Sequence, residues 1–301
     1  MSIIYPKSTP VLLTANHKQL DLSTPKVMGI LNVTPDSFSD GGQFTTIERI
    51  LAHCQQMIQT GVDIIDIGGE STRPNADKVS QEEELARVVP AVRAIREHFG
   101  NQIWLSLDTS SPAVMEQGIN AGADIINDVR ALGRDGALLM AAQLGVPVVL
   151  MHSRGEPDTM NDLAVYDLVL EQIKAELDEK INQAMAVGIQ RKQIIVDVGM
   201  GFAKNFEHHK LIMQHFDELV QYFDLPMLFG VSRKRFLGEL LSHANPAWKT
   251  HTPADRDLMG AGMSLLAVQA GASIVRVHDV ASSVQMLSMW QQLQDTSAKH
   301  L

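Results

Sequence analysis

The chain has a single cysteine in 301 residues. Cys54 therefore has no partner within the chain, which excludes an intramolecular disulfide framework and any zinc site built on thiolates. It lies in the helical-looking run 47–60, "IERILAHCQQMIQT", where it reads as packing. Basic residues are also short: 25 Lys and Arg stand against 35 Asp and Glu, a formal net charge of −10. Non-specific nucleic-acid binding needs the opposite balance, so an anionic ligand must find a local basic cluster. No apolar run reaches membrane-spanning length. The N-terminal stretch has no basic region leading into a signal-like core and cleavage site, and the expected place is the cytoplasm. Nor does any low-complexity linker or shift in composition break the chain. Residues 1–301 read as one domain, at a length that α/β barrels reach, and the 45% hydrophobic content is enough for a sizeable core.

What is present is a recurring junction. "TGVDIID", "AGADIIN" and "AGASIVR" each place a glycine (Gly61, Gly122, Gly271) where a helix would end in a left-handed conformation. An apolar β-branched run then leads to Asp66, Asn127 or Arg276. A looser copy runs from Gly188 to Asp197. Strand-like segments collected on this pattern number eight: 27–31, 64–67, 103–107, 125–126, 146–150, 194–196, 227–231 and 274–277. Segments apolar at helical spacing separate them, such as "QEEELARVVPAVRAIREHFG". Eight strands alternating with helices predict an α/β fold of the (β/α)8 TIM barrel type, with a doubly wound open sheet as the competing architecture. The segment 11–23, "VLLTANHKQLDLS", predicts a short N-terminal hairpin that plugs the barrel's bottom.

In such a barrel the carboxyl ends of all strands share one face. The polar residues found there are Asn32, Asp66, Asp108, Asn127, His152, Asp197, Ser232, and Arg276 with His278. Arg276 and His278 fall on one face because side chains alternate along a strand. The stretch "DIGGESTRPN" adds Gly68 and Gly69 for close backbone approach, and Thr72 and Arg73 as donors to an anion. Asp108 and the residues after Asn127 precede helices and could equally be caps. "DVGMGFAKN" sets Gly199 and Gly201 around a turn beyond Asp197. Interior carboxylates with an Asn suit a neutral heterocycle rich in N–H donors, while a surrounding set of Arg73, Arg233, Lys234, Arg276 and His278 suits a phosphate or carboxylate.

The ordered motifs "MGILNVTPDSFSDGG", "IIDIGGESTRP", "SLDTS", "IINDV", "MH", "DVGMGFAKN", "SRK" and "RVHDV" resemble the dihydropteroate synthase family of bacterial folate synthesis, from Val27 to about Val280. The resemblance implies a TIM barrel, usually a homodimer. It would join 6-hydroxymethyl-7,8-dihydropterin pyrophosphate to p-aminobenzoate with Mg²⁺, release pyrophosphate and 7,8-dihydropteroate, and be a target of sulfonamides. Carried over by motif, Asp108, Asn127, Asp197 and Lys234 would bind the pterin. Arg276 would lie over the pterin face and reach phosphate. Asn32, Thr72 and His278 would meet pyrophosphate, with Asn32 as the Mg²⁺ ligand. Phe38, Asp40, Thr72, Arg73, Pro74 and Phe202 would form the p-aminobenzoate pocket. The catalytic set would be Arg276, His278, Lys234, Asp40 and Arg73.

Three positions depart from the family pattern: Asn75, Val198 and Arg235. Arg235 stands where a serine is common and the substrate carboxylate is met, so it would either pair with that carboxylate or point to solvent. Two other readings share the barrel. A pterin-dependent methyltransferase that serves a corrinoid leaves "NVTPDSFSDGG" unexplained, and a non-catalytic pterin-binding barrel would not need the metal and phosphate residues.

Overall fold

The computed structural model describes residues 11–34, 46–70, 79–156 and 158–294. The expected hairpin is present: β1 (Leu12–Ala15) pairs antiparallel with β2 (Lys18–Asp21). Asn16 and His17 form its two-residue turn at φ 49° and 62°. Positive φ at both positions matches the strand twist, and Asn and His tolerate it better than most side chains.

The aliphatic runs carry no polar alternation, so each strand needs apolar cover on both faces. They supply β3 (Lys26–Asn32), β4 (Ile64–Gly68), β5 (Trp104–Asp108), β6 (Ile125–Asp128), β7 (Val148–Met151), β8 (Ile194–Asp197), β9 (Met227–Phe229) and β10 (Ile274–Val277). All pair in parallel. β10 closes on β3 in the register Ile274↔Lys26 to Val277↔Gly29, so the sheet is a closed barrel and the open alternative is overturned. β9 ends at Phe229, two residues short of the expected Val231. There the chain leaves the ladder and turns, with Lys234 N–H bonded to the Val231 carbonyl at 3.1 Å.

Around the barrel lie α1 (Thr46–Thr60), α2 (Gln81–Phe99), α3 (Pro112–Asn120), α4 (Ala137–Leu144), α5 (Val169–Ala186), α6 (Phe206–Gln214), α7 (Phe216–Phe223), α8 (Arg235–Ala244), α9 (Asp257–Gln269) and α10 (Val280–Gln294). Ser80 and Glu83 form a capping box that starts α2. Pro112 opens α3, where its missing N–H costs nothing. Cys54 is buried on α1, and burial pushes its thiol up to about 12, in keeping with a packing role. Among the described residues no helix is long and apolar enough to cross a membrane.

The repeated glycines end their helices in one way. Gly61, Gly122, Gly188 and Gly271 have φ between 99° and 116°. The next residue, Val62, Ala123, Ile189 or Ala272, returns its N–H to the carbonyl five positions back at 2.9–3.1 Å. This is the Schellman closure, which satisfies the last helical carbonyls and turns the chain into the next strand. The residue after that can serve the neighbouring strand: Asp63 accepts the Val27 N–H at 2.8 Å, and Asp124 accepts the Leu105 N–H at 2.9 Å.

Asp124 also anchors the hairpin. Its buried carboxylate accepts from Lys18 Nζ at 2.6 Å, Arg96 at 2.7 Å and Asn16 at 3.1 Å, tying β1–β2 and α2 to the amino ends of β5 and β6. Asp124→Ala would strand two cations and a backbone donor. It is expected to lower unfolding stability by about 3–5 kcal/mol, as breaking buried pairs does, measured by urea titration. A loss below about 1 kcal/mol would assign the anchoring to the buried Leu13, Leu20 and Leu22 instead.

Candidate active site

Strand register decides which side chains meet at the carboxyl end. Gly68, Asp108 and Asn127 are paired neighbours across β4, β5 and β6, and one layer below Asp66 pairs with Ser106. Paired residues of a barrel point to the same side, so this set shares the interior. Arg276 reaches it from β10. Its Nε donates to Asp66 Oδ2 at 2.6 Å and its NH2 to Asp108 Oδ2 at 2.6 Å. Asn127 Nδ2 donates to the same Asp66 oxygen at 3.1 Å. The two expected pterin-edge residues and the expected face residue are thus one hydrogen-bonded group, and Asp66 joins them.

Burial raises the Asp108 carboxyl to about 7, although the Arg276 guanidinium opposes the rise. Burial also disfavours the charge on Arg276, but Asp66 and Asp108 outweigh it and hold the guanidinium above its ordinary value. The pairing alone would depress Asp108; loss of water wins.

Asp197 ends β8 across the mouth. Its Oδ1 accepts the Gly199 N–H at 2.7 Å, and burial raises its pKa. Lys234 caps α8, donates to the Met200 carbonyl and lies 4.2 Å from the centre of the Phe202 ring. Burial lowers it to about 8 against the pull of Asp197. His278 follows β10. Ser232 Oγ accepts its backbone N–H at 3.1 Å and lies 3.0 Å from its Nδ1. With the serine proton given to Nδ1, Nε2 carries the ring hydrogen.

Asn32 ends β3 at the same rim, paired with Gly68. Among the described residues no three His, Cys, Asp or Glu side chains gather around a metal. A single amide oxygen at the rim fits a hard cation that keeps water and takes most of its ligands from phosphate, as Mg²⁺ does.

The structure therefore brings together Asp108, Asn127, Asp197, Lys234, Phe202, Arg276, His278 and Asn32. Phe38, Asp40, Thr72, Arg73, Pro74 and Asn75 lie outside the described residues. Arg233 leaves the basic ring: both its Nε and NH2 bond Asp257 at 2.8 Å. Arg235, with a substrate carboxylate and solvent as its two alternatives, is 84% exposed and paired with Glu239 one turn along α8. Of the two caps considered, Asp108 is none. Asp128 starts no helix either: it accepts Arg130 and Leu132 N–H at 2.8 and 2.9 Å within the turn after β6, and α4 begins only at Ala137.

The family described as pterin binding enzyme matches residues 28–278. A dihydropteroate synthase of Haemophilus influenzae is 45% identical over 280 residues, covering 93% of this chain and 98% of that protein. The chain belongs to the dihydropteroate synthase family. Two solved members agree in shape. One from Xanthomonas albilineans, with 4-aminobenzoic acid, has a TM-score of 0.86 at 42% identity and covers 95% of this chain and 99% of its own. One from Yersinia pestis, with a sulfonamide drug, has 0.85 at 43%, covering 94% and 99%.

In this family member the raised Asp108 sets a direction of pH dependence. The unfolded carboxyl releases its proton near pH 4, the folded one near 7. Between those values the folded state holds the extra proton, so this group makes stability fall as pH rises. Asp108→Asn is expected to flatten the slope between pH 4 and 7 by at most ~1.4 kcal/mol per pH unit, read from unfolding free energies across that range. Identical slopes would mean that Asp108 stays ionised throughout.

Proposed function

We propose that the protein is a dihydropteroate synthase that condenses 6-hydroxymethyl-7,8-dihydropterin pyrophosphate with p-aminobenzoate. The observation that carries the reading is the linked group Arg276, Asp66, Asp108 and Asn127, facing Asp197 and Lys234 at one barrel mouth. An aminopyrimidinone edge presents several N–H donors, which the Asp108 and Asp197 oxygens and the Asn127 amide oxygen accept. Lys234 donates to ring acceptors. The flat guanidinium of Arg276 lies over the ring and reaches the phosphates.

The reaction breaks the C–O bond between the pterin methylene and pyrophosphate, and the electron pair leaves with the oxygen. The arylamine nitrogen then forms the C–N bond and loses one proton. Arg276 and the Nε2–H of His278 stabilise the departing anion, while Asp108 and Asp197 favour the cationic pterin left behind. Asn32 would hold Mg²⁺ through its amide oxygen, and the ion when bound would supply charge neutralisation at the leaving group. The arylamine is neutral and nucleophilic at pH 7, so its positioning beside Phe202, and by Phe38, Asp40, Thr72, Arg73 and Pro74, takes the place of a strong base. The bound 4-aminobenzoic acid and sulfonamide of the two relatives support an aryl site of this kind.

This reading also makes the protein a cytoplasmic homodimer. The exposed Leu258 and Leu266 of α9 and Met289 and Leu293 of α10, on two helices that pack together, offer an apolar face to a second copy.

The test is pyrophosphate release. It is expected only when Mg²⁺ and p-aminobenzoate are both present, and release independent of the arylamine would point to a hydrolase instead. Asp197→Asn loses one charge-assisted acceptor of the pterin edge. Calorimetry with the pterin substrate should show affinity lower by roughly 10- to 100-fold, from about 1.5–3 kcal/mol, in a protein that still folds.

A further inference from the structure

The turn after β8 carries Phe202 and touches Asp197 and Lys234, yet it has strained geometry. Gly199 and Gly201 sit at φ 68° and 83°, and Ala203, which has a side chain, at 45°. A Cβ on Gly199 would lie 1.9 Å from the His152 carbonyl oxygen. Such a turn persists only if its surroundings fix it, and its polar backbone groups are satisfied almost one by one. Gly199 N–H goes to Asp197, Gly201 N–H to His209 Nε2 at 2.8 Å, and Phe202 N–H to the Gly199 carbonyl at 3.1 Å. The Met200 carbonyl receives Lys234. The carbonyls of Gly199 and Phe202 both receive one buried ammonium, Lys204 Nζ, at 3.1 and 3.0 Å.

The third contact of Lys204 is His152 Nδ1 at 2.9 Å. Burial and the Lys204 charge hold His152 down to about 4, so the ring is neutral. In its ammonium form Lys204 only donates, so Nδ1 then accepts and Nε2 carries the hydrogen. That hydrogen goes to Glu176 Oε2 at 3.1 Å on α5. Glu176 is gripped in turn by Arg154, whose guanidinium lies 3.9 Å from the centre of the Tyr166 ring. The chain Glu176–His152–Lys204 thus runs from a half-exposed helix face to the underside of the turn.

We propose that Lys204, held by His152 and Glu176, is a positioning residue that fixes the 199–202 turn and so presents the Phe202 ring to the arylamine substrate. This rests on the synthase reading above. Lys204 acts on the arylamine side more than on the pterin side, because it bonds the carbonyls of Gly199 and Phe202 and not Asp197, whose backbone is fixed by the barrel: its carbonyl accepts the His152 N–H at 2.8 Å, and its strand pairs with β7. The three acceptors match the three hydrogens of one ammonium, a match that no apolar side chain of similar length reproduces.

The test compares Lys204→Met with the parent in pyrophosphate release, varying each substrate. The KM for p-aminobenzoate is expected to rise about tenfold, with the KM for the pterin substrate changed less than twofold and kcat within about threefold. A merely structural role would lower the active fraction, and hence kcat, and leave both KM values in place. Should Lys204→Met fail to fold, Glu176→Ala loosens the same chain from its exposed end, and a rise of about threefold in the same KM is expected. Parent-like KM values in whichever of these folds, or equal rises for both substrates, overturn the inference alone. A parent that releases no pyrophosphate in response to p-aminobenzoate overturns the function and the inference together.

Discussion

The Arg276 guanidinium, held at 2.6 Å by both Asp66 and Asp108, is the contact on which the mouth of the barrel depends. Closing eight strands draws Asp66, Asp108 and Asp197 into one small volume with little water. Three carboxylates there would repel one another and lose their hydration, a cost that proteins meet by pairing or by neutralisation. Arg276 pairs two of them. Lys234 and Lys204 face the third. Removing Arg276 therefore leaves both Asp66 and Asp108 without their cation, and the mouth behaves as a network.

That network has an arrangement suited to exchange. Arg276 binds Asp66 through Nε and Asp108 through NH2, so it can yield Asp108 to an incoming N–H edge while Asp66 still holds it. Asp66 has no residue of its own to release: Oδ2 serves Arg276 and Asn127 together, and Oδ1 is buried without a partner among the described residues. It sits one layer deeper than Asp108, at the Ser106 level, which suits a residue that orients the ligand-facing layer from below.

Much of this was legible in the sequence, for physical reasons. A strand buried on both faces must be a continuous aliphatic run, and a helix closed by the Schellman turn must carry its glycine at a fixed offset, so β4, β6 and β10 were marked by "TGVDIID", "AGADIIN" and "AGASIVR". Residues at strand ends follow from the barrel itself. What the sequence hides is distance. Lys204 meets His152 across 52 positions and Arg276 meets Asp66 across 210, and neither pair has a periodic signal. Nor can composition separate neighbours such as Arg233, Lys234 and Arg235. A φ of 62° turns Arg233 toward Asp257, Lys234 caps a helix into the mouth, and Arg235 begins the helix on its outer side.

The two ends of the barrel use one kind of chemistry to different effect. At the bottom, the Asp124 carboxylate receives Lys18, Arg96, Asn16 and a backbone N–H, so its acceptor capacity is filled by the protein. At the top the same types of group are left incompletely matched. Among the described residues Asp66 keeps an unpartnered oxygen, Asp108 is moved to about 7 and Lys234 to about 8. A carboxylate raised toward neutrality and an ammonium lowered toward it are groups whose charged forms lack sufficient partners in the folded chain. A ligand that brings N–H donors to the carboxylates and anionic oxygens to the cations supplies those partners. The bottom is satisfied by its own residues and gives stability, whereas the top is completed by what binds there. That division places the chemistry at the carboxyl ends of the strands.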